Sequence, residues 1–228
     1  MSSTGPADRP GGADRIPSLP GRFRAVIFDL DGLLLDTEPG WHRAEAELLR
    51  RHGAAYTDAD ETATLGWSVD STLRRYLPRL GLGDSALPDL TRELMDLARQ
   101  EYAGPIPVRP GAAELVARLR GRVPLGIASN TARSLVLSAL GSAPFGDAFD
   151  AVVSAEEVAR PKPAPDIYLE ACRRLGVEPS AAIGLEDSGS GIAAAKAAGL
   201  TVIAVPQWAV VDTSAADHVV TSLEGLPS

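Results

Sequence analysis

Short apolar runs alternate with amphipathic stretches along most of this chain. Runs rich in Val, Ile, Ala and Phe at 25–28, 124–128, 149–153, 181–185 and 201–205 read as buried strands, with a weaker one at 218–220. Between the later runs, residues 112–119, 132–140, 166–175 and 189–198 carry apolar positions at helical spacing. Gly141, Gly176 and Gly199 follow three of these helices and read as their stops. Strand and helix in alternation predict an α/β fold built on a parallel sheet.

Residues 37–108 break the alternation. No strand is legible there, and helical patterns stand at 41–51, 71–80 and 88–102, separated by Gly53, Gly66 and Gly81-Leu82-Gly83. A helical insert is therefore expected to leave the sheet after the first strand. Its two crossings, at Thr37-Glu38-Pro39 and Gly104-Pro105-Ile106-Pro107, would form a hinge pair. The expected organisation is a tail over 1–21, an α/β core over 22–36 and 109–228, and a helical cap over 37–108. The tail is rich in Pro, Gly, Ser, Asp and Arg, and is read as disordered.

Composition narrows the partners. With 228 residues and 45% hydrophobic content, the chain can fill a sizeable core. Its formal charge of −8 argues against nucleic acid and anionic membranes. An anionic small molecule stays open, because surface charge is screened beyond about 8 Å at physiological salt. One cysteine, Cys172, leaves no internal disulfide. No apolar run is long enough to span a bilayer, and the first 21 residues lack a signal peptide's apolar stretch. A cytoplasmic monomer acting on a small molecule is expected.

The chemistry collects where strands end. Asp29-Leu30-Asp31-Gly32 follows the first strand, and alternation turns both carboxylates to one side. Ser129 and Asn130 follow the second, Arg160-Pro161-Lys162-Pro163 comes after the third, and Glu186-Asp187-Ser188 follows the fourth. In a parallel sheet these ends share one edge, where ligands bind. Two carboxylates side by side repel each other, so spending such positions on acids points to a metal or cationic site. The set suits phosphoryl transfer to a carboxylate. Mg2+ on Asp29, Asp187 and the Asp31 carbonyl would let an anionic ester approach a carboxylate nucleophile. Lys162 would neutralise charge, and Ser129 would hydrogen-bond a phosphoryl oxygen while also capping the next helix. Asp31 could protonate the leaving oxygen and later activate water.

Four strings, taken together, resemble the haloacid dehalogenase superfamily. They are Phe28-Asp29-Leu30-Asp31-Gly32, Ala128-Ser129-Asn130, Pro161-Lys162-Pro163, and Gly184-Leu185-Glu186-Asp187-Ser188 with Gly191-Ile192-Ala193-Ala194-Ala195-Lys196. They stand in that family's order over about 24–206. The insert resembles the helical cap of the β-phosphoglucomutase-like subgroup, and Asp36-Thr37-Glu38-Pro39 with Trp41-His42-Arg43-Ala44 is similar to its sugar-phosphate phosphatases. The resemblance implies a Rossmann-like sheet flanked by helices with a small α-helical cap inserted after the first strand. It also implies a Mg2+-dependent phosphatase in which Asp29 attacks phosphorus and water then hydrolyses the aspartyl-phosphate.

Asn130 is placed with Ser129 and Lys162 at the phosphate. Glu186 is expected to support the metal ligands, and Glu38 and Arg133 are candidates for tuning specificity. The alternative is a β-phosphoglucomutase-type isomerase. The mutases compared carry a lysine soon after the second-motif serine, where this chain offers only Arg133. Asp31 argues against a dehalogenase, which needs no acid for an ester leaving group. His42, Trp41 and Trp67 are expected to be structural.

Overall fold

The structure, a computed structural model, describes residues 23–224 and 226; the tail expected over 1–21 lies outside the described residues. The strands are β1 (Ala25–Phe28), β2 (Leu125–Ser129), β3 (Ala151–Ser154), β4 (Ala182–Glu186), β5 (Thr201–Ala204) and β6 (His218–Val219). They form one parallel sheet in the order β3-β2-β1-β4-β5-β6. The order reverses between β1 and β4, which makes that pair the switch point of the sheet. All residues of β1, β2 and β4 are buried, which explains their nearly continuous apolar runs.

The two faces of β1 belong to different cores. Val26 and Phe28 pack with α5 (Ala112–Leu119) and α6 (Arg133–Ser142), while Ala25 and Ile27 pack with α7 (Asp166–Leu175) and α8 (Gly189–Ala197). This is the two-residue period of a strand covered on both sides.

Between β1 and α5 run α1 (Glu38–Arg51), α2 (Asp58–Ala63), α3 (Val69–Leu80) and α4 (Leu87–Glu101), with no strand among them. The expected helices are present here, with ends moved by a few residues. The addition is α2, whose sequence Asp-Ala-Asp-Glu-Thr-Ala offers no apolar stripe. Its start is fixed by Thr57, whose amide and hydroxyl donate to Asp60 Oδ2 at 2.9 and 2.8 Å. The apolar core of these helices, including Leu48, Leu73 and Leu94, is continuous with Leu30, Leu33, Leu34 and Leu35 after β1. The two crossings lie side by side: Asp36 N–H donates to Pro107 O at 2.8 Å, and Arg109 N–H donates to Leu34 O at 2.9 Å.

One predicted stop is corrected. Gly141 lies inside α6, which runs on to Ser142. Its φ is not positive, and the helix ends two residues later where Ala143 turns extended, its N–H donating to Leu140 O at 3.1 Å. Gly176 does close α7 in the left-handed region, with φ 66°. No described helix is long and apolar enough to cross a membrane.

Candidate active site

The sheet brings the strand-end residues together. Asp29 follows β1, Ser129 ends β2, and Glu186 and Asp187 end and follow β4. Asp29 N–H continues the ladder to Leu185 O at 3.0 Å, which sets Asp29 level with the end of β4. Lys162 arrives from the loop before α7, its peptide bond to Pro163 being cis. Its ammonium donates to Asp29 Oδ1 and to Glu186 Oε1, both at 2.5 Å, and stands 5.3 Å from the centre of the Tyr168 ring. Lys162 is 3% exposed and Glu186 is fully buried. Burial opposes the ammonium's charge, but the Asp29 and Glu186 carboxylates outweigh it and hold its pKa above the usual lysine value.

Oxygens of Asp29, Glu186 and Asp187 lie within 4.8 Å of one another. Their availability differs. Glu186 is fully engaged: Tyr168 OH donates to Oε1 at 2.5 Å beside Lys162, and Ser188 Oγ donates to Oε2 at 3.2 Å. Asp187 Oδ1 is buried and has no partner. Burial first, then Glu186 and Glu38, push the Asp187 carboxyl well above the usual range. Burial likewise raises Asp29, with Lys162 opposing and Glu186, Asp187 and Asp31 adding to the rise. An orphaned carboxylate oxygen beside a second acid is a donor set suited to a hard divalent cation. Gly32 leaves room for the Asp187 carboxylate, since a Cβ at its φ of 82° would lie 2.2 Å from Asp187 Oδ2.

Asp31 is held separately. Ser129 Oγ donates to its Oδ2 at 2.9 Å and Tyr102 OH to its Oδ1 at 2.6 Å. Ser129 also accepts from Thr131 N–H at 3.0 Å, while Ala132 is the N-cap of α6. The expected cap role of Ser129 is thus replaced by a local turn. The Asn130 side chain acts as a clamp. Its Oδ1 accepts from Lys162 N–H at 3.0 Å, and its Nδ2 donates to Lys162 O at 3.2 Å and to Gly66 O at 3.0 Å. Both of its N–H groups serve position, so the lysine is set on a prepared loop.

A cavity opens from Asp29 and Asp31 toward the insert, walled by Glu38, Trp41, His42 and Glu45 of α1, by Trp67 and by Thr72 of α3. Burial, then Asp31 and Glu45, raise the Glu38 carboxyl to about 8. Arg133 is not brought here. Its guanidinium donates to Val152 O and Glu157 Oε2 on the flank of β3. Trp41 and Trp67 line the cavity, although Trp41 also packs edge-on against Tyr102 at 6.1 Å. Tyr102, Tyr168 and Glu45 were not singled out by sequence. Tyr168 stands five positions past the third motif string, but Glu45 on α1 and Tyr102 at the end of α4 face the site only through packing.

The haloacid dehalogenase-like hydrolase family model matches residues 23–199, and the chain belongs to that family. It is 34% identical over 216 residues to "Protein CbbY" of Rhodobacter capsulatus, covering 85% of this chain and 95% of the relative. It is 33% identical over 191 residues to Hexitol phosphatase B of Escherichia coli (strain K12), covering 83% and 86%. The crystal structure of CbbY from Rhodobacter sphaeroides in complex with phosphate superposes with a TM-score of 0.81 at 30% identity, covering 90% of this chain and 96% of that one. The parallel sheet and the order of its motifs are those expected of the family.

Proposed function

We propose that this hydrolase is a Mg2+-dependent phosphatase that cleaves a small sugar or polyol phosphate through an aspartyl-phosphate at Asp29. The observation that carries the reading is the convergence of one lysine, Lys162, on Asp29, with the unpartnered Asp187 oxygen alongside. A hexitol phosphatase among the relatives supports the substrate class.

Asp29 is the nucleophile. Its Oδ1 is held by Lys162, which fixes the carboxylate and leaves the other oxygen to attack. The lysine's charge also faces the phosphoryl oxygens. Asp31, two residues on and held by Ser129 and Tyr102, gives a proton to the leaving oxygen and then takes one from water. Asp29 and Asp187 would hold the magnesium, which when bound supplies the positive charge that lets an anionic ester meet a carboxylate. Ser129 and the Thr131 N–H beside it receive phosphoryl oxygens when Ser129 turns from Asp31.

Residues 37–108 act as a cap. The space open to water centres in the cavity is about 50 Å³, too little for a sugar phosphate, so the helices must part to admit one. Gly66 O latches the closed form, accepting from Asn130 Nδ2 and from Ser190 Oγ at 2.8 Å. With Arg133 tied to Glu157, no cation takes the place of the mutase lysine, which favours water as acceptor.

The test is phosphate release from a panel of phosphorylated metabolites with and without Mg2+, paired with acid-quenched capture of labelled phosphate on the protein. Release that needs Mg2+ and a label lost in Asp29→Asn is expected. Metal-independent release, or label retained by Asp29→Asn, overturns the proposal.

A further inference from the structure

The cavity has two unlike halves. Its floor, at Asp29, Asp31 and Asn130, meets the phosphate end of a substrate on the reading above, on which this inference rests. Its far half carries Glu38, Glu45, Thr72 and His42, with Trp67 two-fifths exposed. No lysine or arginine is among the residues lining it. The chain has only two lysines. Lys162 is spent on Asp29 and Glu186, and Lys196 on Asp217. Of the arginines on neighbouring elements, Arg43 pairs with Glu101, Arg79 with Asp60, Arg109 with Asp36 and Arg133 with Glu157, while Arg75 of α3 is exposed to solvent and none of these lines the cavity.

We infer that the site selects monophosphate esters whose other end is hydroxyl-rich and either uncharged or cationic, and rejects esters carrying a second phosphate or a carboxylate. Glu45 is the specificity-determining residue, accepting a hydrogen bond from a substrate hydroxyl or ammonium.

Glu45 is 5% exposed and does not wander. Tyr76 OH donates to its Oε2 at 2.5 Å, and Tyr76 is itself fully buried. Thr64 also hydrogen-bonds the Glu45 carboxylate, yet two donors leave lone pairs on its oxygens for a substrate. His42 Nε2 is buried without a hydrogen-bond partner, its nearest acid being Glu38 Oε2 at 3.6 Å. These acceptors, together with Thr72, suit hydroxyls, and the Trp67 face suits the C–H side of a sugar. A second anion meets the opposite situation. Closing the cavity over it buries charge with no cation opposite, which is costly. The acids there can relieve repulsion by taking up protons, but they cannot supply positive charge.

The experiment measures kcat/KM with Mg2+ for sorbitol 6-phosphate, glucosamine 6-phosphate, fructose 1,6-bisphosphate and 2-phosphoglycolate, on the full chain and on Glu45→Gln. The polyol and amino-sugar esters should exceed the bisphosphate and phosphoglycolate at least tenfold. Glu45→Gln should lower that ratio at least threefold, most for the amino sugar. A loss of stability in the variant would lower all four rates together and leave the ratio unmoved. Equal or better turnover of the bisphosphate or phosphoglycolate overturns the inference, as does a ratio unchanged in Glu45→Gln. No release from any of the four by the unaltered chain instead strikes the phosphatase reading itself.

Discussion

Lys162→Met removes a charge and keeps most of the stem's length. The ammonium makes two contacts of 2.5 Å, to Asp29 and to Glu186. At an effective dielectric of about 20, each is worth about 7 kcal/mol of attraction. Burying the ammonium takes back several kcal/mol, so the net worth is far below the sum. What the substitution leaves behind decides the outcome: two buried carboxylates facing each other, with Asp187 within 4.8 Å. Breaking a buried pair in this way costs about 3–5 kcal/mol. For a chain of this length that lowers Tm by about 6–20 °C.

Urea unfolding at pH 7 without metal measures the loss. Glu186→Gln added to Lys162→Met removes one stranded charge, so the double variant should lose at least about 1 kcal/mol less than the two single losses added. Mg2+ should restore part of the stability of Lys162→Met, because a cation beside Asp29 and Asp187 answers the same charge. A loss under about 1 kcal/mol in the single variant, with strict additivity in the double, would refute the charge argument.

The remaining predictions concern the metal, the latch and pH. Asp187→Asn should stabilise the metal-free protein, by removing a buried charge with an orphaned oxygen, and raise the Mg2+ concentration needed for half activity at least about tenfold; an unchanged Mg2+ requirement removes Asp187 from the metal site. Gly66→Ala would place a Cβ 2.5 Å from Ser188 at a φ of 69°, so kcat/KM should fall about 10–100-fold for want of cap closure; full activity would show that the latch is idle. Burial, opposed by the Tyr76 hydrogen bond and aided by Asp60, raises Glu45 from 4.5 to about 7, so the folded chain keeps a proton that the unfolded chain has lost. That contribution to stability is constant below pH about 4.5, falls by about 3 kcal/mol as pH rises to about 7, and is flat above. Chemical denaturation of Glu45→Gln against the unaltered chain should show that difference growing over this window, and a difference independent of pH rules out the raised carboxyl.

Legibility followed locality. Asp29, Ser129 and Asp187 could be placed from sequence because each stands at the end of a buried strand, and parallel strands deliver their ends to one edge. The loop carrying Lys162 could be named, but not the Asn130 clamp that fixes it, since that contact spans 32 positions. Tyr102 reaches Asp31 across 71 positions, and nothing near it in the chain marks it out. Glu45 reads as one more charge on the polar side of α1 until Tyr76 of α3 is seen against it. Two local signals mislead. Gly141 looks like a stop, but a helix closes on the glycine that takes the left-handed conformation, and this one does not. The helix α2 gave no periodicity because a capping box, not an apolar face, starts it.

A chain of net charge −8 that binds an anionic ester must concentrate its positive potential. Its arginines are spread over surface ion-pair groups such as Arg50 and Arg51 with Glu47, Arg74 with Asp70 and Asp84, and Arg173 and Arg174 with Glu170, all screened from the site. At the switch point Asp29 and Glu186 share the Lys162 ammonium, with Asp187 beside them. Glu186 is the acid that explains the arrangement. Held by Lys162, Tyr168 and Ser188, it contributes no free oxygen, yet it fixes the lysine in place from the side away from Asp29. Gly191 exists to make room for it, since a Cβ there would fall 2.0 Å from its carboxylate. The fold therefore spends one buried carboxylate on orienting Lys162, the one lysine or arginine paired with these acids among the described residues. On the proposed Mg2+ mechanism this ties ester binding to metal loading, and the metal-free chain should show little affinity for its substrate.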